Sequence, residues 1–168
     1  MPSAAPYRVC FVCSGNICRS PIAEAVLRRL VAEAGLAGQV AVSSAGTGGW
    51  HAGDPADVRA MAALRRRGYS LDHAARQWRR ADFTGTDLVV ALDTGHYRHL
   101  VRQAPNAEER AKVRLLRSFD PAAGEDLDVP DPYYGSAAGF DRVLDLAEAA
   151  CAGLLAEIRS ELGAPNPF

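Results

Sequence analysis

A thiol and a guanidinium lie six positions apart near the start of the chain, at Cys13 and Arg19. The apolar residues before Cys13 predict a strand, and the pair Ser20-Pro21 predicts a helix that begins directly after Arg19. Backbone N–H groups of a tight loop at a helix N-terminus favour a bound anion and an ionised thiol. A planar guanidinium can hold two oxygens of a phosphoryl group. This segment therefore predicts a site that binds a phosphate ester and attacks its phosphorus with the sulfur of Cys13.

The residues around that pair carry a family resemblance. Cys13-x5-Arg19-Ser20 resembles the phosphate loop of the low-molecular-weight protein tyrosine phosphatases. The pattern alone is a moderate signal, since several unrelated phosphatase folds use it. Gly15-Asn16-Ile17-Cys18 inside the loop and Pro21 after it make the resemblance specific. Ser14 stands where other small or apolar residues are common in the family, and we expect little effect from it.

A second match lies far downstream, where Asp131-Pro132-Tyr133-Tyr134-Gly135 resembles the family's general-acid loop. Further landmarks lie between the two matches, at Ser44-Ala45-Gly46-Thr47 with Trp50, at Asp72-His73-x-x-Arg76-Gln77 and at Leu92-Asp93. The similarity therefore spans nearly the whole chain and is closest to bacterial, actinobacterial members. One departure is His96, which stands where the family often has Asn.

The resemblance implies a protein tyrosine phosphatase that works through a phosphocysteine. Cys13 would be the nucleophile and Arg19 would bind the phosphoryl group. Asp131 would protonate the departing tyrosyl oxygen and later deprotonate the attacking water. Four other acids in the same loop compete for that role on sequence grounds, namely Asp120, Glu125, Asp126 and Asp128. The stiffening by Pro132 and the two adjacent tyrosines favour Asp131.

Other residues of the loop would support this chemistry. Gly15 permits a close approach of the backbone to phosphate, and Asn16 is expected in a left-handed conformation, which Asn tolerates. The resemblance implies that the Asn16 amide is held by a network of Ser20, Ser44 and His73. Ser20 is expected to cap the helix and also to donate to the sulfur of Cys13 as it leaves. Ser14, Ile17 and Cys18 complete the loop, and the resemblance supports a reversible Cys13–Cys18 disulfide under peroxide.

Three aromatic residues are predicted to bind the substrate. Trp50 lies in a glycine-rich loop with little core to join, and Tyr133 and Tyr134 follow the predicted acid. Aromatic walls would hold a phenyl ring, and a deep slot would select phosphotyrosine over the shorter phosphoserine. We assign no chemistry to His51 or His96, which are at most residues of the pocket mouth. Asp93 is expected to play a structural role near Arg19 or the loop.

Three alternatives remain beside this interpretation. A thiol-linked arsenate reductase of similar fold needs two more cysteines downstream of the third strand, and residues 82–118 contain none. A phosphoarginine phosphatase resembling this family carries Thr where this chain has Ile17, whose bulk favours a flat aryl ester. A phosphate-binding module without activity is disfavoured because Cys13, Arg19 and Asp131 are all present.

The elements that must position these residues alternate between strand and helix. Apolar runs predict strands at residues 8–12, 40–44, 88–92 and 113–116. Apolar residues spaced three and four positions apart predict helices from Ser20, from Pro55 to Gly68, over 94–103 and over 137–162. A long polar loop is predicted over 118–135. We expect one α/β domain over residues 1–168 with residues 1–6 flexible. Its fold would be a flavodoxin-like, doubly wound open parallel sheet of strand order 2-1-3-4 with helices on both faces. Ligands of such sheets bind at the carboxyl ends of strands, which places Cys13, Asp93 and the acid loop on one rim.

Bulk properties limit the partners. The formal net charge of the 168-residue chain is −1, which implies no nucleic-acid or anionic-membrane partner. No apolar run approaches a membrane span, and the start of the chain lacks a signal-peptide pattern, so we expect a cytoplasmic protein. Four cysteines and four histidines show no paired ligand spacing, so neither a metal nor another cofactor is expected. Cys10 is expected in the core. The expected partners are phosphotyrosine proteins, with phosphate or related oxyanions as product or inhibitor, and the oligomeric state is not determined by the sequence.

Overall fold

The computed structural model describes residues 5–163. Its elements follow in the order β1 (Tyr7–Cys13), α1 (Arg19–Glu33), β2 (Val40–Gly46), α2 (Val58–Arg66), β3 (Leu88–Ala91), α3 (Thr94–Gln103), α4 (Ala107–Ala111), β4 (Val113–Leu115) and α5 (Ala137–Glu161). Two 3₁₀ turns span Arg80–Phe83 and Leu116–Phe119. Most of the predicted flexible segment 1–6 lies outside the described residues. No described helix is long and apolar enough to cross a membrane.

The four strands form one parallel sheet in the order β2-β1-β3-β4, which confirms the predicted fold class. The register of β1 with β2 places Cys13 beside Gly46 at the carboxyl edge. Alternate residues of β1 face two separate apolar clusters. Val9, Phe11 and Cys13 join the cluster that includes α1, α2 and α5, whereas Cys10 and Val12 join the cluster that includes α3. Cys10 is thus a core residue on the face opposite Cys13, as the period of a strand requires.

Helix α1 begins one residue earlier than predicted and without the predicted cap. Its N-cap is Cys18, which makes no side-chain capping hydrogen bond, and Ser20 already lies inside the first turn. The prediction that Ser20 caps the helix is therefore wrong, because its hydroxyl is used elsewhere in the site. Residues 19–27 are buried on all sides of the helix, so the predicted one-sided stripe holds only for its second half. Gly35, at φ 72°, follows the end of the helix as expected.

The second helix, in contrast, begins later than predicted. Asp57 caps α2 by accepting a hydrogen bond from the Arg59 backbone N–H, so the helix starts at Val58 and not at Pro55. Helix α4 and both 3₁₀ turns were not predicted, since they are only four or five residues long and carry no readable period. Helix α5 follows its prediction within one residue and buries Phe140, Leu144 and Leu154 against the α1 side of the sheet.

Both outer strands of the sheet are modified at their edges. The Arg28 guanidinium donates to the carbonyl oxygen of Val42 on β2 at 2.6 Å, and Gln77 forms a parallel bridge with Gly46 at the end of the same strand. Strand β4 has three residues, and the charged side chain of Arg114 is at its centre. These features occupy or shorten the hydrogen-bonding edges that a parallel sheet leaves open.

Candidate active site

The loop between β1 and α1 turns its carbonyl groups outwards. Every carbonyl from position 13 to 18 except that of Gly15 accepts a hydrogen bond, the donors being Thr47 N, Gly48 N, His73 Nε2, Asp57 N and Ile22 N. These bonds to the flanking segments leave the N–H groups of the loop for an anion at its centre. Asn16 has φ 59°, which confirms the predicted left-handed conformation. Gly46 permits the close packing of β2 on the loop, since a Cβ there would lie 2.6 Å from the Ser14 carbonyl oxygen.

The sulfur of Cys13 has one hydroxyl beside it. Cys13 Sγ lies 2.9 Å from Ser20 Oγ. Asn16 Nδ2, which can only donate, lies 2.8 Å from the same hydroxyl oxygen. Ser20 Oγ therefore accepts from Asn16, and its own hydrogen is available to the sulfur of Cys13. This confirms the predicted contact between Ser20 and Cys13.

The Asn16 amide is the centre of a buried polar network. Its Nδ2 also donates to Ser44 Oγ at 2.9 Å, and its Oδ1 accepts from the Arg76 backbone N–H at 3.0 Å. Ser44 Oγ in turn donates a hydrogen bond to the buried carboxylate of Glu24 at 2.6 Å. His73 Nε2 lies 2.7 Å from the Asn16 carbonyl oxygen, so it holds the backbone of Asn16 and not the amide that we predicted. Each donor thus has an acceptor, which fixes the left-handed turn.

Arg19 is held from one side by a carboxylate and a carbonyl. Its Nη1 donates to Asp93 Oδ2 at 2.8 Å and to the Val129 carbonyl oxygen at 3.0 Å. Burial raises the pKa of Asp93, but the His96 backbone N–H and the guanidinium of Arg19 outweigh it, so the net pKa is lowered. Asp93 is therefore ionised at neutral pH and neutralises the buried arginine. This agrees with the structural role expected for Asp93.

The predicted general acid lies above that guanidinium. Asp131 Oδ2 is 3.8 Å from Arg19 Nη2, and the Asp131 side chain is 47% exposed. The competing acid Asp128 is already used, because its Oδ1 accepts from the backbone N–H of Thr94 at the start of α3 at 2.7 Å. Asp120, Glu125 and Asp126 do not line the pocket, whereas Asp131 does.

The loop that carries Asp131 is attached to α2 through one arginine. The Arg59 guanidinium is paired with Asp57, lies over the rings of Tyr133 and Phe140, and donates to the Gly135 carbonyl oxygen at 3.4 Å. The Asp57 backbone N–H binds the Ile17 carbonyl oxygen at 2.8 Å. The acid loop and the phosphate loop are thus connected through the first turn of α2.

A pocket opens over the sulfur. It is lined by Cys13, Ser14, Gly15, Ile17, Cys18, Arg19, Trp50, His51, Asp131, Tyr133 and Tyr134. The three predicted aromatic residues are all among them, and Trp50 and Tyr134 are 73% and 92% exposed. Apolar rings of this size are left in solvent at a place where they can contact a bound molecule. Asn16, Ser20, Ser44 and His73 lie behind the loop and do not line the pocket.

The second thiol of the loop is chemically different from an exposed cysteine. Cys18 is buried at the base of the pocket, and burial, with Asp57 next in effect, raises its pKa to about 12. All four cysteines are free thiols. The thiol of Cys18 is therefore protonated at neutral pH, and the predicted disulfide with Cys13 stays a prediction.

Sequence reasoning misjudged one residue of the site. His96 was expected at the pocket mouth at most, but it is 5% exposed and does not line the pocket. Its Nε2 lies 2.9 Å from Ser14 Oγ and 3.4 Å from Arg19 Nη2. His96 is the third residue of α3, and a side chain there points back towards the N-cap, Asp93. Since Asp93 was expected near Arg19, this position could have indicated a role for His96 beside Arg19.

Sequence reasoning missed Glu24 altogether. This residue is 5% exposed, and its carboxylate accepts the last hydrogen bond of the Asn16 network, which Ser44 donates. The spacing carries a signal, since Glu24 lies one helical turn after Ser20 and therefore on the same face of α1. A carboxylate in an otherwise apolar stretch of a helix is unusual unless it has a polar partner.

A parallel α/β sheet with a cysteine–arginine phosphate loop at the end of β1 and a carboxylate above it defines a cysteine-dependent phosphatase. The model of the family "Low molecular weight phosphotyrosine protein phosphatase" matches residues 8–164. The chain belongs to this family.

Relatives and solved structures agree with that assignment. A low molecular weight protein-tyrosine-phosphatase of Streptomyces coelicolor is 61% identical over 157 residues, with 93% of this chain and 96% of the relative covered. The crystal structure of a protein tyrosine phosphatase from Entamoeba histolytica matches with TM-score 0.86 and 36% identity, over 95% of this chain and 99% of that one. A Drosophila arginine phosphatase has the same fold, with TM-score 0.84 and 31% identity over 91% and 98% of the two chains. The expected likeness to bacterial, actinobacterial members is confirmed by the Streptomyces relative.

Proposed function

We propose that this protein tyrosine phosphatase hydrolyses phosphotyrosine through a phosphocysteine on Cys13. The sulfur would attack phosphorus in line as the bond from phosphorus to the tyrosyl oxygen breaks. Asp131 would give its proton to the departing oxygen. The observation that carries the proposal is the alignment of three groups around one pocket: a sulfur in a ring of N–H groups, a guanidinium, and a half-exposed carboxylate 3.8 Å from that guanidinium.

Arg19 has a geometry suited to phosphoryl transfer. Its Nη1 is used by Asp93 and Val129, so the remaining N–H groups are left for two phosphoryl oxygens. The charge spread over these oxygens in the transition state is stabilised by donors that are already in place. Since the carboxylate of Asp93 fixes the guanidinium, little reorganisation is needed when the ester binds.

The second step needs a good sulfur leaving group and a base. Ser20 Oγ, which accepts from Asn16, directs its hydrogen to the sulfur of Cys13 and would stabilise the thiolate that leaves. Asp131, ionised after the first step, would take the proton from the attacking water, whose oxygen bonds to phosphorus as the P–S bond breaks. Inorganic phosphate would be released and would compete with substrate for the loop.

The rim of the pocket supports an aromatic substrate. Trp50, Tyr133 and Tyr134 line it, and the T-shaped pair of the two tyrosines has ring centroids 5.0 Å apart. A phenyl ring would bind among these rings with its phosphate on the loop. The apolar side chain of Ile17 lines the same pocket and favours a flat aryl ester over the charged guanidino group of phosphoarginine. Phosphotyrosine proteins are therefore the proposed partners.

The replacement of Cys13 by Ser tests the proposed nucleophile. We expect Cys13→Ser to reduce the turnover of an aryl phosphate by at least about 10⁴-fold, because a hydroxyl is a far weaker nucleophile than a thiolate at neutral pH. The same variant is expected to bind inorganic phosphate, measured by calorimetry, since the N–H groups and Arg19 remain. Cys151→Ala, a buried cysteine of α5, is the matched control and is expected to keep the wild-type kcat.

A substrate comparison completes the test. Phosphotyrosine, phosphoserine, phosphoarginine and arsenate are offered to the wild-type protein under the same conditions. Preference for phosphotyrosine is expected. Wild-type turnover by Cys13→Ser would exclude the phosphocysteine, and preference for phosphoarginine would exclude the substrate class.

A further inference from the structure

His96 is a buried residue that contacts two functional side chains without contacting the pocket. It lies in the first turn of α3, 5% exposed, and is absent from the pocket lining. Its Nε2 is 2.9 Å from Ser14 Oγ, which lines the pocket, and 3.4 Å from Arg19 Nη2. The imidazole therefore joins α3, the phosphate loop and the guanidinium at a single nitrogen.

The partners of His96 define its protonation. Arg19 can only donate, so Nε2 must accept and the ring hydrogen is on Nδ1, 3.1 Å from Asp93 Oδ1. The charged groups that act on the ring are Arg19, Asp93, Asp128 and Asp131. Burial, and next the positive charge of Arg19, lower the pKa of His96 to about 4, although the three carboxylates oppose this. The ring is neutral at physiological pH, and its Nε2 lone pair accepts from Ser14 Oγ at 2.9 Å and, over a longer distance of 3.4 Å, from Arg19 Nη2.

Arg19 needs such a partner because its two terminal nitrogens are held differently. Nη1 has short bonds to Asp93 and Val129, whereas the partners of Nη2 are His96 at 3.4 Å and Asp131 at 3.8 Å. An ion pair with Asp131 would draw the guanidinium towards the general acid. His96 is a second acceptor on the same nitrogen and opposes that displacement. Because Nη2 carries two hydrogens, one stays directed at His96 while the other is left for a phosphoryl oxygen.

We propose that His96 is a positioning residue for Arg19, whose neutral imidazole is fixed by Ser14 and aligns the guanidinium for the phosphoryl group. The proposal rests on the function proposed above and adds a determinant of phosphate affinity that lies outside the pocket.

The side chains of Asp93, His96 and Ser14 contact one another in the order of a hydrolase triad. Two observations contradict that role. Nδ1 has no aligned hydrogen bond despite its proximity to Asp93. A base in a triad must become an imidazolium, which the Arg19 guanidinium at 3.4 Å disfavours. Ser14 is therefore an anchor for the ring and not a nucleophile, which is a larger role than the sequence predicted for it.

Phosphate binding tests the proposal without requiring catalysis. In the Cys13→Ser background, calorimetry with inorganic phosphate compares His96→Leu, which lacks an acceptor, with His96→Gln, whose amide oxygen can replace Nε2. We expect the Kd for phosphate to rise about tenfold with leucine and about threefold or less with glutamine, as for loss of a hydrogen bond to a charged group. His99→Leu, on the same helix, is the control and is expected to leave Kd unchanged.

Steady-state kinetics separate positioning from a merely structural role. In the otherwise wild-type enzyme, His96→Leu is expected to raise KM and lower kcat for an aryl phosphate, with recovery in His96→Gln. Loss of folded protein alone would lower the apparent kcat without changing KM. The double variant with Ser14→Ala is expected to match His96→Leu alone, because Ser14 acts through the ring.

Three outcomes would overturn the assignment. The first is a Kd for phosphate in His96→Leu within twofold of the parent, and the second is a His96→Gln variant that binds phosphate as weakly as His96→Leu at unchanged thermal stability. The third is an additive effect of His96→Leu and Ser14→Ala on kcat/KM. If the leucine variant does not fold, Ser14→Ala decides, since an unchanged kcat/KM there would also contradict the proposal. A wild-type protein without aryl phosphatase activity, but with phosphate affinity that depends on His96, would contradict the proposed function and leave this inference standing.

Discussion

Asp131 holds a half-exposed carboxyl group above the buried guanidinium of Arg19. Its backbone-facing oxygen accepts from the Tyr133 N–H at 3.0 Å, so the side chain is oriented while one oxygen remains for chemistry. A general acid matters most when the leaving group is a strong base, because an unprotonated phenolate then departs slowly. The effect of a substitution at position 131 should therefore depend on the substrate.

Asp131→Asn keeps the shape of the side chain and removes the transferable proton. We expect kcat to fall about 100-fold or more for phenyl phosphate, and clearly less for p-nitrophenyl phosphate, whose phenolate is stable without a proton. Glu125→Gln, an exposed residue of the same loop, is the control. A loss of equal size for both substrates would assign the acid to another group.

At the scale of elements, the contact between α5 and the 3₁₀ turn Leu116–Phe119 depends on a glycine. A Cβ on Gly153 would overlap the carbonyl oxygen of Phe119. Elsewhere in a helix, a change from glycine to alanine stabilises by about 0.5–1 kcal/mol. The close approach of the two backbones reverses that expectation at this position.

We expect Gly153→Ala to lower the free energy of unfolding by about 1–3 kcal/mol, as in other overpacked sites. Gly139→Ala in the same helix is the matched control, because its Cβ would meet Pro132 at 3.5 Å, an ordinary contact. Urea unfolding of both variants measures the difference. A Gly153 variant as stable as the Gly139 variant would show that α5 can move away from the turn.

The elements were predictable where local preference and tertiary packing agree. The apolar runs at β1 and β3 and the stripe of α5 gave strands and a helix within two residues of their observed ends. The start of α1 was wrong because tertiary contacts override local preference, whereas α2 starts later than predicted because Asp57 is its local cap. Ser20 is a good cap in isolation, but the buried sulfur and the Asn16 amide take its hydroxyl.

The site was predictable in its reacting groups and less so in what holds them. Cys13, Arg19 and Asp131 have types that suggest chemistry, and a parallel sheet brings them to one edge. Glu24 and His96 act through long-range contacts, with Ser44 twenty residues away and with Ser14 eighty-two residues away. No local pattern reports such contacts, so only the folded structure identifies those partners.

At the scale of the whole molecule, the buried groups around Arg19 make stability depend on pH. Unfolded His96 takes up a proton near pH 6.5, whereas folded His96, with its lowered pKa, does so only near pH 4. Between these values the unfolded state binds more protons, so the free energy of unfolding falls on acidification. Asp93, with its lowered pKa, adds a further loss below pH 3.8.

We expect the wild-type protein to lose up to about 3 kcal/mol of unfolding free energy through His96 between pH 7 and pH 4. His96→Gln does not titrate, so its stability should change less over that interval. His99→Gln, on the same helix, should follow the wild type. Urea unfolding at pH 7, 5.5 and 4 measures the slopes, and equal slopes for His96→Gln and the wild type would exclude His96 as the source.

The protected edges of the sheet have a consequence for behaviour at high concentration. With a formal net charge of −1, neighbouring molecules repel each other little, so electrostatics gives weak protection against association. The features that oppose intermolecular strand pairing are then the guanidinium of Arg28 on β2, the Gln77 bridge at the end of the same strand and the brevity of β4. We therefore expect that loss of the Arg28 contact with the Val42 carbonyl oxygen would make strand pairing between molecules easier in a concentrated solution.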